Sequence, residues 1–274
     1  MISIRMPRFS IILPVFVGNE YRQNSLKRAI ESVEKQTFKD FELIVVNDGS
    51  TTEFTVPKWV KLINKEHEER IVAYGTGFKK AKGKIFCTLD SDDEYETTYL
   101  ETVDRYFTKY PKSKLFNFGA KYIHTDGTTS TREAFKPKKK KKGHEVFGGG
   151  NIVSGTFVWA KEVYDDLGAF PPTHNIDIDT TDINYPPFRG AEKPYLRELH
   201  MTTPYDFSAY AQVEFPELRQ YFMVDHEAEP DKIIKELGNP WGNDHYLFYK
   251  YTRKYHSKPM KDKLYIVHTR DGIM

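Results

Sequence analysis

The sequence KIFCTLDSDDEYETT, residues 84–98, places an apolar run directly before three carboxylates, those of Asp90, Asp92 and Asp93. Such a run is typical of a β-strand covered on both faces, as in a parallel sheet between layers of helices. Neighbouring carboxylates repel one another, so a cation is expected among them. The alternative is that Asp92 and Asp93 open the following helix, where acids favour the helix dipole. Taken alone, this stretch leaves both interpretations open.

The chain before this stretch predicts a βαβ unit. Residues 9–16 form an apolar run of β-forming residues, residues 24–36 have the apolar spacing of an amphipathic helix, and residues 41–51 (FELIVVNDGST) predict a second buried strand. Strand, helix and strand in so short a stretch indicate an α/β fold with a parallel sheet. The other predicted elements are strands at 71–73, 84–89, 115–125 and 263–269, a strand passing into a short helix at 157–170, and helices at 96–111, 230–238 and 243–256.

Three groups of candidate site residues, two of them polar, follow predicted strands of this sheet. Phe16, the NDGS at 47–50 and the DSDD at 90–93 all come where a strand ends. In open α/β sheets ligands bind at the carboxyl ends of the strands. The clusters are therefore expected to meet in one crevice, which favours a ligand site over a simple helix start.

Composition excludes some classes of function. The chain has 274 residues, 39% of them hydrophobic, 29% charged, and a formal net charge of +2, which is too small to indicate a nucleic-acid partner. One cysteine and no stretch long enough to span a bilayer predict a cytoplasmic protein. Six lysines within residues 136–142 leave two interpretations open, a solvated loop that acts as a lid or a peripheral contact with an anionic membrane.

With these elements in order, the chain resembles family 2 glycosyltransferases of the GT-A fold. The resemblance lies in SIILPVF (10–16), ESVEKQTFKDFELIVVNDGST (31–51) and GFKKAKGKIFCTLDSDD (77–93), the last of which contains the family's DxD motif. It implies an α/β, Rossmann-like domain with a mostly parallel central sheet flanked by helices. Within the single domain 1–274, residues 1–125 would bind the donor and an irregular half, 126–274, the acceptor.

The resemblance also implies an activity, the metal-dependent, inverting transfer of a sugar from a UDP- or GDP-linked donor to a hydroxyl of a glycan or glycoconjugate. The cation would be Mn²⁺ or Mg²⁺, for which oxygen ligands are suited. By analogy with the family, Asp92 is the principal metal ligand and Asp90 binds the ribose or the metal. Asp48 would hydrogen-bond the base, with the backbone near Pro14 and Phe16 beside the ring.

The second half is expected to supply the catalytic base. PWGNDHYLFYKY (240–251) resembles the family's Glu-Asp element with Asn243 in place of Glu, so Asp244 would deprotonate the acceptor hydroxyl. Its alternative role is that of a helix-opening acid. LYIVHTRDG (264–272) resembles the strand that often supplies a metal-binding histidine, so His268 is a candidate third ligand, with a purely structural histidine as the alternative.

The sequence departs from the family in one segment of the donor half. Where many members carry Ala-Arg-Asn, this chain has Ala73, Tyr74 and Gly75. Lys79, Lys80 and Lys82 are candidates to compensate for the missing arginine, with lysines that are simply solvated on an exposed helix as the alternative. The departures at Tyr74 and Asn243 keep a non-catalytic nucleotide- or carbohydrate-binding module open, and a nucleotidyltransferase is the alternative within the enzymes.

Overall fold

The structure, a computed structural model, describes residues 6–68, 70–135, 138–139, 145–146, 153–169, 251–252 and 254–269. The chain divides into two compact units. The first comprises Met1–Phe135, Val153–Ala169 and Tyr251–Met274, and the second comprises Lys136–Ile152 and Phe170–Lys250. The predicted boundary at residue 125 between a donor half and an acceptor half stays a prediction.

The described elements are named in chain order. The strands are β1 (Phe9–Val15), β2 (Phe41–Asp48), β3 (Lys61–Lys65), β4 (Ile85–Thr88), β5 (Glu94–Tyr95), β6 (Leu115–Ile123), β7 (Thr129–Arg132), β8 (Lys138–Lys139), β9 (Glu145–Val146), β10 (Phe157–Ala160) and β11 (Ser257–His268). The helices are α1 (Glu20–Glu34), α2 (Arg70–Lys80), α3 (Tyr99–Lys109) and α4 (Lys161–Leu167). In the second unit, β8 and β9 pair antiparallel.

One sheet of nine strands organises the first unit, with the order β3-β2-β1-β4-β10-β6-β11-β5 and β7 paired to β6. The strands β3, β2, β1 and β4 run parallel to one another. The strand β10 enters antiparallel to both of its neighbours, and β6 and β11 are parallel to each other. The predicted α/β fold with a parallel βαβ core is therefore confirmed.

The core covers both faces of the sheet because side chains alternate along each strand. All seven residues of β1 are buried. Ile11 and the other odd-numbered residues of β1 belong to a hydrophobic cluster with Ile30 of α1 and Val103 of α3. On the other face lies α2, where a Cβ atom built on Gly77 would come within 2.3 Å of Ile12 Cγ2. Glycine at this position allows α2 to pack directly against β1.

The prediction of a strand at residues 71–73 is wrong, because α2 already begins at Arg70. Ala73, Tyr74 and Phe78 are buried on one side of this helix. The apolar run 71–73 is too short to reveal their helical spacing. The third strand is instead β3, at one end of the strand order, where its residues are only partly buried. An edge strand of this kind carries a weak apolar signal.

The helix-start interpretation of Asp92 and Asp93 is also wrong. These residues precede the short strand β5, and helix α3 begins only at Tyr99 with Thr98 at its N-cap. The strand β5 pairs antiparallel with β11, from the far end of the chain. The acidic stretch therefore belongs to a connection between two strands of the sheet.

Candidate active site

The parallel strands bring the predicted donor-binding residues to one edge of the sheet. In the order β2-β1-β4, Asp48 is the last residue of β2, Phe16 follows β1, and Asp90 follows β4. Pro14 lies inside the sheet, opposite Val46. Neighbouring strands are about 4.8 Å apart, so Asp48 and Asp90 project from strands roughly 10 Å apart, on either side of β1.

Three donors surround the carboxylate of Asp48. Its Oδ1 atom accepts hydrogen bonds from Lys65 Nζ at 2.7 Å and from the backbone N–H of Glu68 at 3.1 Å. His67 Nδ1 lies 2.9 Å from the Asp48 carbonyl oxygen and 3.2 Å from Oδ2. Both of these oxygens are acceptors, so Nδ1 carries a proton. The carboxylate is thus held in one orientation.

The turn after Asp48 requires glycine. Gly49 has φ +66°, and a Cβ atom at this position would lie 2.5 Å from the backbone nitrogen of His67. Asn47 Oδ1 accepts the backbone N–H of Ser50 at 3.0 Å, and Ser50 Oγ accepts that of Val17 at 2.7 Å. The NDGS segment is therefore joined to the end of β1.

An aromatic pair lies beside this turn. The rings of Phe16 and His67 have centroids 4.7 Å apart and an interplanar angle of 46°. Phe16 is half-buried, and the His67 side chain is 62% exposed. No local sequence signal marks His67 or Lys65, because their link to Asp48 depends on how β3 pairs with β2.

We expect Lys65→Met to destabilise the protein by about 2–4 kcal/mol, because the substitution leaves a buried carboxylate without its cation. The side chains of Lys65 and Asp48 are only 12% and 7% exposed. Desolvation lowers the pKa of Lys65, but the hydrogen bonds and charges of Asp48 and Glu68 outweigh it and leave the pKa raised. The stabilisation is then fully present below the unfolded lysine pKa of about 10.4 and is lost as the pH rises through the higher folded value.

Urea unfolding at neutral pH checks this expectation. The matched control is Lys61→Met in the same strand, where Nζ donates to the backbone carbonyl of Lys80 in an exposed hydrogen bond. Equal losses of stability for the two variants would contradict the role assigned to Lys65.

The DSDD sequence forms a β-turn at the end of β4. The backbone N–H of Asp93 donates to the carbonyl oxygen of Asp90 at 3.1 Å, which leaves Ser91 and Asp92 at the two central positions. The Nη2 atom of Arg28, in α1, donates to the carbonyl oxygen of Asp92 at 2.8 Å. The tip of the turn is therefore fixed to a neighbouring helix.

Asp93 is the most enclosed of the three acids, with 5% of its surface exposed. Burial raises its pKa well above the usual range, and the negative charges of Asp92 and Asp90 raise it further. Hydrogen bonds from the His268 backbone N–H, at 3.1 Å, and from the Tyr265 hydroxyl oppose this shift. The three acids are thus close enough for their charges to affect one another.

The structure brings His268 to the same cluster, at the end of β11. Its Nε2 atom lies 2.6 Å from Glu94 Oε1, and Glu94 also forms an ion pair with Arg28 Nε at 3.2 Å. The imidazole is therefore already engaged by a carboxylate through one nitrogen. Within the described residues, no group of three or more His, Cys, Asp or Glu side chains is arranged to hold a metal ion.

Two buried tyrosines that the sequence analysis did not place in the site contact Asp90. The Tyr74 hydroxyl donates to Asp90 Oδ1 at 2.8 Å, and the Tyr265 hydroxyl accepts the Asp90 backbone N–H at 3.1 Å. The signal for Tyr74 was its departure from the family pattern. No local signal marks Tyr265, which lies 175 residues from Asp90.

The three lysines expected to replace the family's arginine lie elsewhere. Lys79, Lys80 and Lys82 are exposed, between the carboxyl end of α2 and the start of β4. The Lys82 backbone N–H donates to Glu42 Oε1, near the start of β2. They lie at the edge of the sheet opposite Asp90, so this expectation is wrong, because α2 runs antiparallel to the strands.

Some predicted features lie outside the described residues. Asp244 is one of them, and of the lysine run 136–142 only the backbone of β8 is described. Among the described residues, no helix is both long and apolar enough to cross a membrane.

Comparison with known proteins identifies the family. The family model described as glycosyl transferase family 2 matches residues 10–168, more than half of the chain. The chain belongs to glycosyltransferase family 2. Phe16, Asp48 and Asp90, at the ends of β1, β2 and β4, fall within this match, whereas His268 and Tyr265 of β11 lie outside it.

Relatives of this glycosyltransferase match over a shorter stretch. An uncharacterised glycosyltransferase of Rickettsia bellii is 36% identical over 105 residues, which cover 36% of this chain and 15% of the relative. The GalNAc(5)-diNAcBac-PP-undecaprenol beta-1,3-glucosyltransferase of Campylobacter jejuni is 29% identical over 154 residues, which cover 52% of this chain and 46% of the relative. The matches thus span half or less of these relatives' length.

Among solved structures, TarS (residues 1–349) of S. aureus in complex with UDP is similar, with a TM-score of 0.45 and 18% sequence identity. The similarity covers 60% of this chain and 50% of the TarS chain.

Proposed function

We propose that this protein is a metal-dependent, inverting glycosyltransferase that moves a sugar from a UDP- or GDP-linked donor to a hydroxyl of a glycan or glycoconjugate. The observation that carries the proposal is the position of Asp48, Asp90 and Asp92 at the carboxyl ends of the parallel strands β2 and β4, which lie on either side of β1. This edge is where α/β sheets bind ligands. Family membership and the beta-1,3-glucosyltransferase relative support the transfer of a sugar.

The donor half would bind the nucleotide along this edge. The backbone near Pro14 and the ring of Phe16 would lie beside the base, and Asp48 would accept a hydrogen bond from it. A carboxylate offers about four lone-pair positions, so Asp48 can accept a bond from the base in addition to those from Lys65 and Glu68. Asp90 would contact the ribose or the cation.

The acidic turn is suited to Mn²⁺ or Mg²⁺, because its side-chain ligands are carboxylate oxygens and a cation would offset the mutual repulsion of Asp90, Asp92 and Asp93. Asp92 and Asp90 would hold the cation. His268 would join them through Nδ1, or through Nε2 if its contact with Glu94 Oε1 were broken. A divalent cation supplies charge neutralisation for the departing diphosphate. Arg28 keeps Asp92 in place by its bond to the Asp92 carbonyl oxygen.

Asp244 would be the base. It would take the proton of the acceptor hydroxyl as the oxygen attacks the anomeric carbon in line, so that the configuration inverts and the nucleoside diphosphate leaves. We expect Asp244→Asn to lower kcat by about 10²–10⁴-fold while donor binding stays unchanged. Steady-state kinetics and donor titration check this, with Asn243→Ala as the neighbouring control. Unchanged turnover in Asp244→Asn would assign the base to another residue.

A nucleotidyltransferase and a non-catalytic binding module are the two alternatives, and each makes its own prediction. A nucleotidyltransferase needs a phosphate-binding loop after β1. Here the side chain of Asn19 caps α1 by accepting the Arg22 backbone N–H at 3.0 Å. This N–H is therefore already bonded within the protein and is not available to a phosphate. A non-catalytic module would bind the donor without turning it over.

Thermal stability measured with UDP-, GDP- and dTDP-sugars tests the proposal, each with Mn²⁺ and with EDTA, followed by an assay for donor hydrolysis. A ligand that binds only the native state raises its stability. The expected result is a metal-dependent rise with one nucleotide, together with slow hydrolysis of that donor. Binding without hydrolysis or transfer would indicate the non-catalytic module, and no binding at all would overturn the proposal.

The lysine run 136–142 is our proposed peripheral contact with anionic lipid. Sedimentation with vesicles of phosphatidylserine and phosphatidylcholine tests it. Binding should require phosphatidylserine and weaken in high salt. Equal binding to pure phosphatidylcholine would exclude an electrostatic contact.

A further inference from the structure

Tyr74 stands where the family pattern has arginine, and the proposed mechanism assigns it no role. Its side chain is 1% exposed, and its hydroxyl donates to Asp90 Oδ1 at 2.8 Å. A buried phenol needs a hydrogen-bond partner, and here the partner is the first acid of the DxD motif. The contact joins the helix α2 to the turn that follows β4.

Core packing determines where this hydroxyl lies. The Tyr74 ring stacks on Phe78 with centroids 6.0 Å apart and planes 15° apart. Phe78 in turn stacks on Phe86 of β4, at 5.8 Å and 14°. Because Phe86 belongs to the strand that leads into the acidic turn, the ring stack links the position of the phenol to that of Asp90.

A second tyrosine holds the backbone of the same residue. The Tyr265 hydroxyl, on β11, accepts the Asp90 N–H and donates to the carboxylate of Asp93. Asp90 is therefore held at its carboxylate by α2 and at its backbone by β11. Two fully packed rings on different elements leave little freedom for this acid to rotate.

The chemical nature of the hydrogen-bond donor at position 74 also matters. An arginine at position 74 would place a positive charge against Asp90 and would compete with a metal ion for it. A phenol is neutral, so it orients the carboxylate and leaves its negative charge available. Hydrogen bonds from outside the coordination sphere that orient a ligand in this way typically contribute 10–100-fold to metal affinity.

We propose that Tyr74 is a positioning residue that orients the carboxylate of Asp90 for the divalent cation and the nucleoside diphosphate. This inference rests on the proposed function, because it requires a cation at Asp90 and Asp92. It assigns a role to a residue that departs from the family pattern, and it predicts that the loss of one hydroxyl weakens cation binding without unfolding the protein.

The test compares Tyr74→Phe with Tyr99→Phe in the full chain. Tyr99 is the matched control because it is also fully buried, and its hydroxyl donates to a backbone carbonyl, that of Gly155 at 2.9 Å, rather than to an acid. The affinity for Mn²⁺ is measured by titration in the presence of UDP and of GDP. The melting temperature without ligand is measured for each variant.

The expected result is a Mn²⁺ affinity roughly tenfold lower in Tyr74→Phe and unchanged in Tyr99→Phe, with both variants folded. If wild type binds Mn²⁺ and Tyr74→Phe binds it equally well, the positioning role is overturned and the proposed function stands. Equal weakening in both variants also overturns it, because the effect would then be one of general packing. A wild-type chain that binds no Mn²⁺ overturns the metal dependence, and the positioning role with it.

Discussion

Asp92→Asn is expected to lower metal-dependent sugar transfer at least about 10³-fold, because it removes one of the negative charges that would hold the proposed cation. Asp92 lies at the tip of the β-turn, whose backbone is held by the Asp93 N–H and by Arg28. Those bonds involve backbone oxygens, so the substitution leaves them in place. The folded structure should therefore persist while Mn²⁺ binding and transfer are lost.

The measurement is turnover of the donor identified by thermal stability, at saturating Mn²⁺, together with a direct Mn²⁺ titration. Asp126→Asn is the matched control. It makes the same change in the exposed turn between β6 and β7, where asparagine before Gly127 (φ +81°) is well tolerated. Full activity in Asp92→Asn would show that the cation site has been placed on the wrong residue.

The second large effect is expected from Gly155→Ala, in the 3₁₀ turn Ser154–Thr156 that precedes β10. A Cβ atom on Gly155 would lie 1.7 Å from Cε2 and 2.2 Å from Cδ2 of Tyr265, far inside van der Waals contact. The Tyr265 ring is fully buried and cannot turn away without disturbing the core. We expect a loss of about 3 kcal/mol or more in the free energy of unfolding.

Because the Tyr265 hydroxyl accepts the Asp90 backbone N–H, any displacement of this ring also moves the acidic turn. Gly155→Ala should therefore weaken Mn²⁺ binding even where the protein remains folded. Urea unfolding and Mn²⁺ titration at low temperature separate the two effects.

Gly75→Ala is the matched control for this substitution. Gly75 lies inside α2, and a Cβ atom there would meet nothing within 4 Å. Alanine is the better helix former, so this variant should gain about 0.5–1 kcal/mol. A loss of stability in Gly75→Ala similar to that in Gly155→Ala would contradict the close approach between Gly155 and Tyr265.

Local pattern alone predicted the first part of the fold. The elements β1, α1, β2, β4 and α3 follow from strand and helix periodicity over adjacent residues, and polar residues mark the ends of the strands. Because parallel strands share one carboxyl edge, chain order was enough to place Asp48 and Asp90 at a common site. The prediction of a strand at residues 71–73 was wrong because three apolar residues do not distinguish a helix from a strand.

The surroundings of these acids were decided only by the tertiary structure. His268 meets Asp93, and Tyr265 meets Asp90, across separations of 175 residues, because β11 returns beside β6 and pairs with β5. Lys65 meets Asp48 through the β2–β3 pairing. The sequence by itself determined which residues are candidates for the site, since motif and spacing are local. The packing of distant elements determined what orients those residues, because no local spacing specifies which side chains meet when strands far apart in the chain pair.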